Sequence, residues 1–396
     1  MADADVLIVG AGAAGAACAE ALRAGGFDGS VVLAGRDVDP PYERPFCSKE
    51  YLRGAVGREQ TYLELPDGLD LRMRTSVMKL DPSARTAKLP GEELSFGHAV
   101  LATGANVRRL RVDGAELEGI HYLRALGNAD AIRADAAAAE RVVLVGGSYI
   151  ACEVAASLTA QGKACTLVMQ EEGPLSLGFG RTASEFFAGV LREHGIDWVA
   201  RDSLGRFEGD GRVSRVVTES GRTLEADMVV MGTGAVPDVM LARSAGLDLG
   251  STGGIACSSV LETSAPNVWA AGDACEYDSV VHGRRVRIEH WEVARAQGAF
   301  VAGAIMGSRE PFAEIPYFWS DLADWCTLEY VGPASRWDAE VVRGSIEDGS
   351  FTIFYLDGGR VVAALTVGRS DDLDRARELM TSGEVVGAEE LRTSGM

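Results

Sequence analysis

The stretch Val6-Leu7-Ile8-Val9-Gly10-Ala11-Gly12-Ala13-Ala14-Gly15 decides the fold. Its four consecutive apolar residues predict a buried strand, and the alanine-rich segment that follows predicts a helix to about Ala24. Glycines at this junction let the backbone approach a pyrophosphate, and the helix N-terminus offers N–H groups to it. A second strand, Ser30 to Leu33, completes a βαβ unit. We therefore predict a dinucleotide site at Gly10, Gly12, Ala13, Ala14 and Gly15.

The acidic residue that holds a ribose in such folds stands about 20 residues beyond the glycines. Arg36 falls near that place, and its neighbour Asp37 is the available carboxylate. Asp37 is therefore our candidate for the ribose contact.

A second copy of the same pattern begins with the apolar run Arg141 to Val145. A helix through Ala160 and a strand from Cys165 to Met169 follow. Because strand, small-residue turn and helix recur in the same order, we predict a second nucleotide-binding fold. Its candidate binding residues are Gly146, Gly147, Ser148, Tyr149 and Ile150.

Two further strands end in small residues, and the C-terminal third changes character. Ala102-Thr103-Gly104 and Gly232-Thr233-Gly234 each follow an apolar run, and we interpret them as the crossover points between nested domains. From Ile315 onward, turn signals at Asp348-Gly349 and Asp357-Gly358 separate β-rich runs. This part predicts a separate α+β module.

Composition and charge restrict the possible function classes. The 38 basic and 58 acidic residues give a formal net charge of −20, which disfavours binding to nucleic acid and to anionic membranes. No apolar run reaches the roughly 18 residues of a membrane helix. Asp3 and Asp5 stand where a signal peptide has positive charge, so we expect a cytoplasmic location. The seven cysteines contain no CxxC pair, so neither a disulfide framework nor a metal site is suggested.

Two segments resemble motifs of known flavoproteins. The segment from Thr263 to Asp273, which ends in Gly272-Asp273, resembles the second FAD motif of the two-dinucleotide-binding-domain flavoprotein disulfide reductase superfamily. Within that superfamily, the PYERPFCSK segment of residues 41–49 is similar to PYxRPPLSK of the oxygenase-coupled, NADH-dependent ferredoxin reductases. Further matches include the RIEHW segment of residues 287–291 and PYFWSD of residues 316–321. The resemblance runs from Val6 to about Met380.

The resemblance implies a fold, a reaction and domain boundaries. We expect an α/β protein with two nested Rossmann-like dinucleotide-binding domains and a C-terminal α+β domain. The FAD-binding domain would comprise residues 1–110 and 234–310, and the NAD(P)-binding domain residues 111–233. The α+β domain would span residues 311–385, and a polar tail residues 386–396. The implied reaction passes electrons from NADH through FAD to a small iron–sulfur ferredoxin of the two-iron type.

The resemblance also assigns residues to the flavin. Lys49 would lie beside the flavin N5 atom, paired with Glu153, where an ammonium group stabilises an anionic reduced flavin. Asp273 would bind the ribityl and phosphate region, and the backbone near Val77 the adenine. The other implied FAD contacts are Arg44, Ala102, Thr103, Gly104, Arg124, Gly272, Glu289, His290 and Trp291.

The second nucleotide motif departs from the family pattern. GGGYIG of the family is GGSYIA at residues 146–151 here, in which the substituted residues are also small. Gln170, Glu171 and Glu172 follow the second strand, and this stretch contains no arginine for a 2′-phosphate. We therefore expect NADH rather than NADPH, bound with the help of Glu153, Gly232 and Gly234.

Three functional hypotheses remain open at the level of sequence. The first is a ferredoxin reductase. Its acidic ferredoxin requires a basic docking surface, and the two candidate clusters are Arg108, Arg109 and Arg111, and Arg284, Arg285 and Arg287. Cys47, which replaces a family leucine, raises the alternative of an NADH-dependent peroxide or disulfide reductase. The third hypothesis is a redox-gated binding protein resembling apoptosis-inducing factor. Monomer and homodimer are both open.

Overall fold

The computed structural model describes residues 3–334 and 336–393. These residues form 25 strands and nine α-helices. The strands are β1 (Ala4–Val9), β2 (Val31–Ala34), β3 (Leu69–Arg72), β4 (Lys79–Asp81), β5 (Thr86–Leu89), β6 (Glu92–Leu101), β7 (Ala105–Val107), β8 (Ile120–Tyr122), β9 (Arg141–Val145), β10 (Ala164–Val168), β11 (Asp197–Val199), β12 (Leu204–Asp210), β13 (Arg212–Thr218), β14 (Thr223–Glu225), β15 (Met228–Met231), β16 (Ala235–Pro237), β17 (Ile255–Cys257), β18 (Val268–Ala270), β19 (Cys275–Ser279), β20 (Arg284–Arg287), β21 (Tyr317–Leu322), β22 (Cys326–Val331), β23 (Ala339–Ser345), β24 (Ser350–Asp357) and β25 (Arg360–Val367). The helices are α1 (Ala13–Ala24), α2 (Glu50–Arg53), α3 (Leu126–Ala136), α4 (Tyr149–Thr159), α5 (Ser176–Glu193), α6 (Met240–Ser244), α7 (Trp291–Ile305), α8 (Asp372–Ser382) and α9 (Ala388–Thr393).

The chain forms two compact units, each built from three segments. Unit 1 contains residues 1–43, 62–106 and 235–318, and unit 2 contains residues 44–61, 107–234 and 319–396. The unit boundaries near residues 106 and 234 fall just after the two small-residue strand ends that the sequence marked as crossovers.

Unit 1 is organised around a sheet with the strand order β3-β2-β1-β6-β5-β4, in which β18 also pairs with β6. β1 lies between β2 and β6 and is parallel to both. Four consecutive residues of β1, Val6 to Val9, are buried, as expected for a parallel sheet covered on both faces. A smaller sheet, β17-β19-β20, belongs to the same unit.

Unit 2 repeats this arrangement with a second parallel sheet, ordered β11-β10-β9-β15-β8. β9 lies between β10 and β15, parallel to both, and is buried from Val142 to Val145. An antiparallel sheet, β12-β13-β14, follows in the chain, and a five-stranded sheet, β21-β22-β25-β24-β23, forms the C-terminal module. The α/β fold with two Rossmann-like sheets and an α+β module is therefore confirmed.

The segment 44–61 belongs to unit 2, although we expected it in the same domain as residues 1–43. Its hydrogen bonds explain the difference. The Tyr51 hydroxyl donates to Asp130 over 2.5 Å, and the Ser157 hydroxyl donates to the Ser48 carbonyl over 2.6 Å. Because these partners are distant in the sequence, a local sequence pattern does not reveal them.

The segment 386–396 was expected to be a polar tail. Its described part contains the short helix α9, and Leu391 of this helix is 1% exposed. Two buried apolar residues, Val386 and Leu391, therefore hold this segment against the fold, and residues 394–396 lie outside the described residues.

Candidate functional site

The first predicted nucleotide turn follows β1 in unit 1. Gly10 has a φ of 113°, and a Cβ atom there would lie 2.1 Å from the carbonyl oxygen of Ala102. A Cβ on Gly15 would lie 1.9 Å from the Gly10 carbonyl oxygen. Only glycine fits at both places. The turn lies at the carboxyl ends of β1 and β6, which is where open α/β sheets bind ligands.

Helix α1 begins at this turn without a capping side chain. Its N-cap residue is Gly12, and no side chain among the described residues caps the helix. The first N–H groups of an α-helix have no partner within the helix, so Ala13, Ala14 and Gly15 can present donors to a ligand. Together with the positive end of the helix dipole, this arrangement fits a pyrophosphate.

A second part of unit 1, the Gly272-Asp273 corner, follows β18. Gly272 has a φ of 78°, and its N–H donates to the Gln297 side-chain oxygen over 2.8 Å. Gln297 is fully buried, and its Nε2 atom has no hydrogen-bond partner among the described residues. The carbonyl oxygen of Asp273 accepts a hydrogen bond of 3.1 Å from Arg287.

His290 precedes helix α7 and is half-buried. Its Nδ1 atom has no hydrogen-bond partner in the described structure, and its ring centre lies 4.3 Å from that of Phe318. Burial lowers the pKa of His290 to about 4, while the charge of Asp273 acts in the opposite direction. Glu289 is exposed and ion-paired with Arg287. Trp291 is the first residue of α7. The unpartnered atoms of His290 and Gln297 leave buried polar groups for a ligand such as the flavin, so the residues of unit 1 fit FAD.

Two other candidates in unit 1, Asp37 and Val77, lie beyond β2. Asp37 is half-buried, and its carbonyl oxygen accepts a hydrogen bond of 3.0 Å from the Arg74 N–H. Arg36 is ion-paired with Asp238 at 2.8 Å. Val77 is half-buried and packs against the core of the unit.

The predicted pair of Lys49 and Glu153 lies within unit 2, where its members are buried. The Lys49 Nζ atom lies 3.5 Å from Glu153, and the two side chains are 4% and 6% exposed. Both Glu153 oxygens also accept hydroxyl groups, from Ser48 at 2.5 Å and from Ser320 at 2.6 Å.

Sequence reasoning missed a third charged member of this group. Asp321 lies 2.8 Å from the Lys49 Nζ atom, nearer than Glu153, and its other oxygen accepts a hydrogen bond of 2.7 Å from Thr327. The sequence feature that could have indicated Asp321 is the FWSD run at residues 318–321. This run resembles the family motif, but the sequence analysis assigned no chemistry to its aspartate. Two carboxylates therefore contact one buried ammonium group.

Arg44 and Arg124, both predicted to bind FAD, contact each other in unit 2. The Arg44 guanidinium donates to the Arg124 carbonyl oxygen. The N–H of Arg124 donates to the side chain of Asn128 over 3.1 Å. These hydrogen bonds hold the segment that contains Arg124 at the start of α3.

The second nucleotide turn, in unit 2, has the same geometry as the first. Gly146 has a φ of 126°, and a Cβ atom there would lie 2.2 Å from the carbonyl oxygen of Gly232. Helix α4 begins at Tyr149, and no side chain of the described residues caps it, although its N-cap residue is Ser148. Ile150 is 40% exposed. This turn, too, offers helix N–H groups to a phosphate.

Carboxylates and one arginine surround the end of β10. A Cβ atom on Gly147 would lie 3.3 Å from a carboxylate oxygen of Glu171, so Glu171 stands at the nucleotide turn. The stretch after β10 contains no arginine, but the fold brings Arg201 there, 2.6 Å from Glu172. The fold therefore places an arginine from another segment beside a stretch that has none of its own. Because Arg201 is paired with Glu172, its charge is offset.

Cys47 and the two basic clusters differ in exposure. The Cys47 side chain is 3% exposed, unlike reactive cysteines, which are partly exposed to solvent. Arg285 is ion-paired with Asp278 at 2.9 Å, and Arg287 with Glu289. The other cluster, Arg108, Arg109 and Arg111, is exposed and has no ion pair with any described carboxylate.

Comparison with known proteins identifies the family. A family model described as pyridine nucleotide-disulphide oxidoreductase matches residues 4–298. The chain belongs to this family. A second model, described as reductase C-terminal, matches residues 317–395 and so covers the C-terminal module.

Individual relatives are similar over almost the whole chain. Putidaredoxin reductase CamA of Pseudomonas putida is 34% identical over 389 residues, which cover 95% of this chain and 92% of the relative. Rhodocoxin reductase of Rhodococcus erythropolis is 32% identical over 384 residues, covering 95% and 89%. The crystal structure of the ferredoxin reductase for the CYP199A2 system from Rhodopseudomonas palustris superposes with a TM-score of 0.94 at 31% identity, covering 98% of this chain and 97% of that one.

These similarities confirm the ferredoxin reductase family that the sequence motifs indicated. The chain is an FAD-dependent NAD(P)H oxidoreductase of this family. No helix within the described residues is both long and apolar enough to cross a membrane.

Proposed function

We propose that the chain takes electrons from NADH and passes them through FAD to a small iron–sulfur ferredoxin. One observation supports this most directly, which is that each unit contains a strand-to-helix turn that only glycine can form. In unit 1 a Cβ on Gly10 would lie 2.1 Å from the Ala102 carbonyl oxygen, and in unit 2 a Cβ on Gly146 would lie 2.2 Å from that of Gly232. Two such turns provide sites for two dinucleotides.

We assign FAD to the first turn and the nicotinamide dinucleotide to the second. The residues proposed for FAD are Gly10, Gly12, Ala13, Ala14, Gly15, Asp37, Arg44, Lys49, Val77, Ala102, Thr103, Gly104, Arg124, Gly272, Asp273, Glu289, His290 and Trp291. Those proposed for the nicotinamide dinucleotide are Gly146, Gly147, Ser148, Tyr149, Ile150, Glu153, Gly232 and Gly234. The helix N-termini bind the phosphates, and the buried Nδ1 of His290 provides a polar contact for the flavin.

Lys49 is proposed to act on the flavin, as the family resemblance implies. FAD, when bound, accepts two electrons as a hydride and releases them singly. The chain contributes the binding geometry and the charge around the redox group. Glu153 holds the Lys49 ammonium and is itself fixed by Ser48 and Ser320, so the position of this charge is well defined.

NADH is the proposed electron donor. The carboxylate of Glu171 at the second turn repels a 2′-phosphate and can accept a hydrogen bond from a ribose hydroxyl. Arg201, which lies near this turn, is ion-paired with Glu172, so its positive charge is partly offset.

The exposed cluster of Arg108, Arg109 and Arg111 is the proposed docking surface for an acidic ferredoxin. The relatives named above are reductases for putidaredoxin, rhodocoxin and the CYP199A2 system, which supports an iron–sulfur acceptor. Arg109 stacks on the ring of Tyr122, with 4.9 Å between its guanidinium carbon and the ring centre, which limits its conformations. A two-iron centre, a cytoplasmic location, and the choice between monomer and homodimer stay predictions.

A coupled assay tests this function. NADH-driven reduction of cytochrome c is measured with the purified protein, with and without an added two-iron ferredoxin. The proposal requires a rate that rises with ferredoxin concentration and saturates. A rate independent of ferredoxin, together with peroxide or disulfide turnover that Cys47→Ser abolishes, would instead establish the thiol mechanism.

A further inference from the structure

Lys49 and the two carboxylates that contact it carry a negative net charge, although Lys49 alone is positive. Its ammonium group is 4% exposed and lies 2.8 Å from Asp321 and 3.5 Å from Glu153. The Asp321 side chain is 18% exposed, and that of Glu153 is 6% exposed. With all three groups ionised, one positive and two negative charges give the triad a net charge of −1.

Hydrogen bonds keep both carboxylates in their acceptor role. Each oxygen of Glu153 accepts a serine hydroxyl, and the two oxygens of Asp321 accept Lys49 and Thr327. The triad therefore opposes extra negative charge nearby, whereas an isolated lysine would attract it.

We propose that Asp321 lowers the reduction potential of the bound flavin by offsetting the charge of Lys49. This inference rests on the proposed function, which assigns Lys49 to the flavin. Reduction adds negative charge to the flavin, so each nearby carboxylate makes reduction less favourable and makes the reduced enzyme a stronger electron donor. Asp321 is thus a residue that tunes the potential, and a strong donor is what a ferredoxin acceptor requires.

Removal of Asp321 has two opposing consequences, and the charge effect is the larger. Loss of a hydrogen-bond partner frees Lys49 to move, which would weaken its attraction for the reduced flavin. However, Lys49 is still held by Glu153 and by burial, and the ring centre of Trp319 lies 5.3 Å from its Nζ atom. Asp321→Asn also keeps the shape of the side chain and an oxygen that can accept from Lys49. The potential therefore rises when the negative charge is removed.

The test is the two-electron midpoint potential of the purified, FAD-loaded protein, measured by spectroscopic titration against reference dyes. In Asp321→Asn we expect the equilibrium ratio of reduced to oxidised flavin at a fixed potential to rise about tenfold, which corresponds to about 30 mV. Lys49→Met should lower the ratio. Asp324→Asn removes the same charge from an exposed side chain three residues further along and should leave the ratio unchanged. Asp321→Ser, which removes the same charge with a smaller side chain, should shift the potential in the same direction if the asparagine variant does not fold.

The results of these measurements distinguish the role of Asp321 from the assignment of Lys49 to the flavin. An unchanged or lower potential in the Asp321 variants, with a clear fall in Lys49→Met, would overturn the role of Asp321 and leave the proposed function intact. If Lys49→Met also left the potential unchanged, the assignment of Lys49 to the flavin would be wrong, and the inference about Asp321 would be wrong with it.

Discussion

Helix α7 approaches helix α1 so closely at Gly298 that a Cβ atom there would lie 2.0 Å from the carbonyl oxygen of Ala14. Ala14 belongs to the first turn of α1, where the FAD phosphates are expected, so this contact fixes the position of the N–H donors. Gly298 follows Gln297, whose side chain holds the Gly272 N–H. Two successive residues of α7 thus fix both parts of the proposed FAD site in unit 1.

Gly298→Ala should therefore destabilise the protein and reduce its FAD content. Overpacking of a close contact costs about 1–3 kcal/mol, because backbone atoms on both sides must shift. The free energy of unfolding, measured by urea titration, and the ratio of flavin to protein absorbance test this prediction.

Gly303→Ala in the same helix is the matched control, since the nearest atom to its new Cβ would be 3.9 Å away. There the substitution should be neutral or stabilising by up to about 1 kcal/mol, from helix propensity alone. Equal effects of the two substitutions would show that α1 and α7 are not in close contact at Gly298.

Gly10→Ala and Gly146→Ala should separate the two dinucleotide sites. Each adds a Cβ atom that would lie within 2.2 Å of a backbone oxygen, at a residue with positive φ. Gly10→Ala should lose FAD and with it the yellow colour. Gly146→Ala should stay yellow and raise the KM for NADH at least tenfold, a loss of about 1.4 kcal/mol in binding. Loss of FAD from Gly146→Ala, with NADH binding intact, would reverse our assignment of the two turns.

Replacement of both carboxylates near the second turn should shift the donor preference toward NADPH. In Glu171→Gln/Glu172→Gln the repulsion of a 2′-phosphate is removed and Arg201, now unpaired, can bind it. We expect the ratio of kcat/KM for NADPH to that for NADH to rise at least tenfold in steady-state kinetics.

Glu225→Gln, which changes an exposed carboxylate on β14, serves as the control for lost charge alone. A wild-type enzyme that prefers NADPH, or a double variant whose ratio matches that of Glu225→Gln, would contradict this account of the loop.

The nucleotide turns and the Asp321 contact show where sequence analysis succeeds and where it stops. The turn at Gly10 was predictable because strand, glycines and helix are adjacent in the chain, and local sterics dictate the geometry. The contact between Lys49 and Asp321 joins residues 272 positions apart, and only the tertiary fold brings them together. Arg201 and Glu172 are 29 residues apart, and the pairing of β10 with β11 brings Arg201 near the second turn. Family resemblance identified the pair of Lys49 and Glu153, but did not show that a second carboxylate, Asp321, gives the group a net charge of −1.

Charge reversal at the exposed basic cluster should slow ferredoxin reduction selectively. In Arg108→Glu/Arg109→Glu, attraction of an acidic partner becomes repulsion, so the second-order rate should fall about tenfold or more at low ionic strength and converge with wild type at high salt. Reduction of ferricyanide, a small acceptor, should be largely spared.

Arg285→Gln provides the comparison, because Arg285 is already paired with Asp278 and offers little net positive charge. Equal slowing by the two sets of variants, or equal rates with both acceptors, would exclude the surface of Arg108, Arg109 and Arg111 as the docking site.

Anaerobic titration of the purified protein with NADH tests whether the chain binds FAD and reduces it with NADH. We expect a yellow protein with about one FAD per chain, whose flavin absorbance near 450 nm is bleached by about one equivalent of NADH and restored by a two-iron ferredoxin. A colourless protein that cannot be reconstituted with FAD, or a bound flavin that NADH does not bleach, would contradict this expectation.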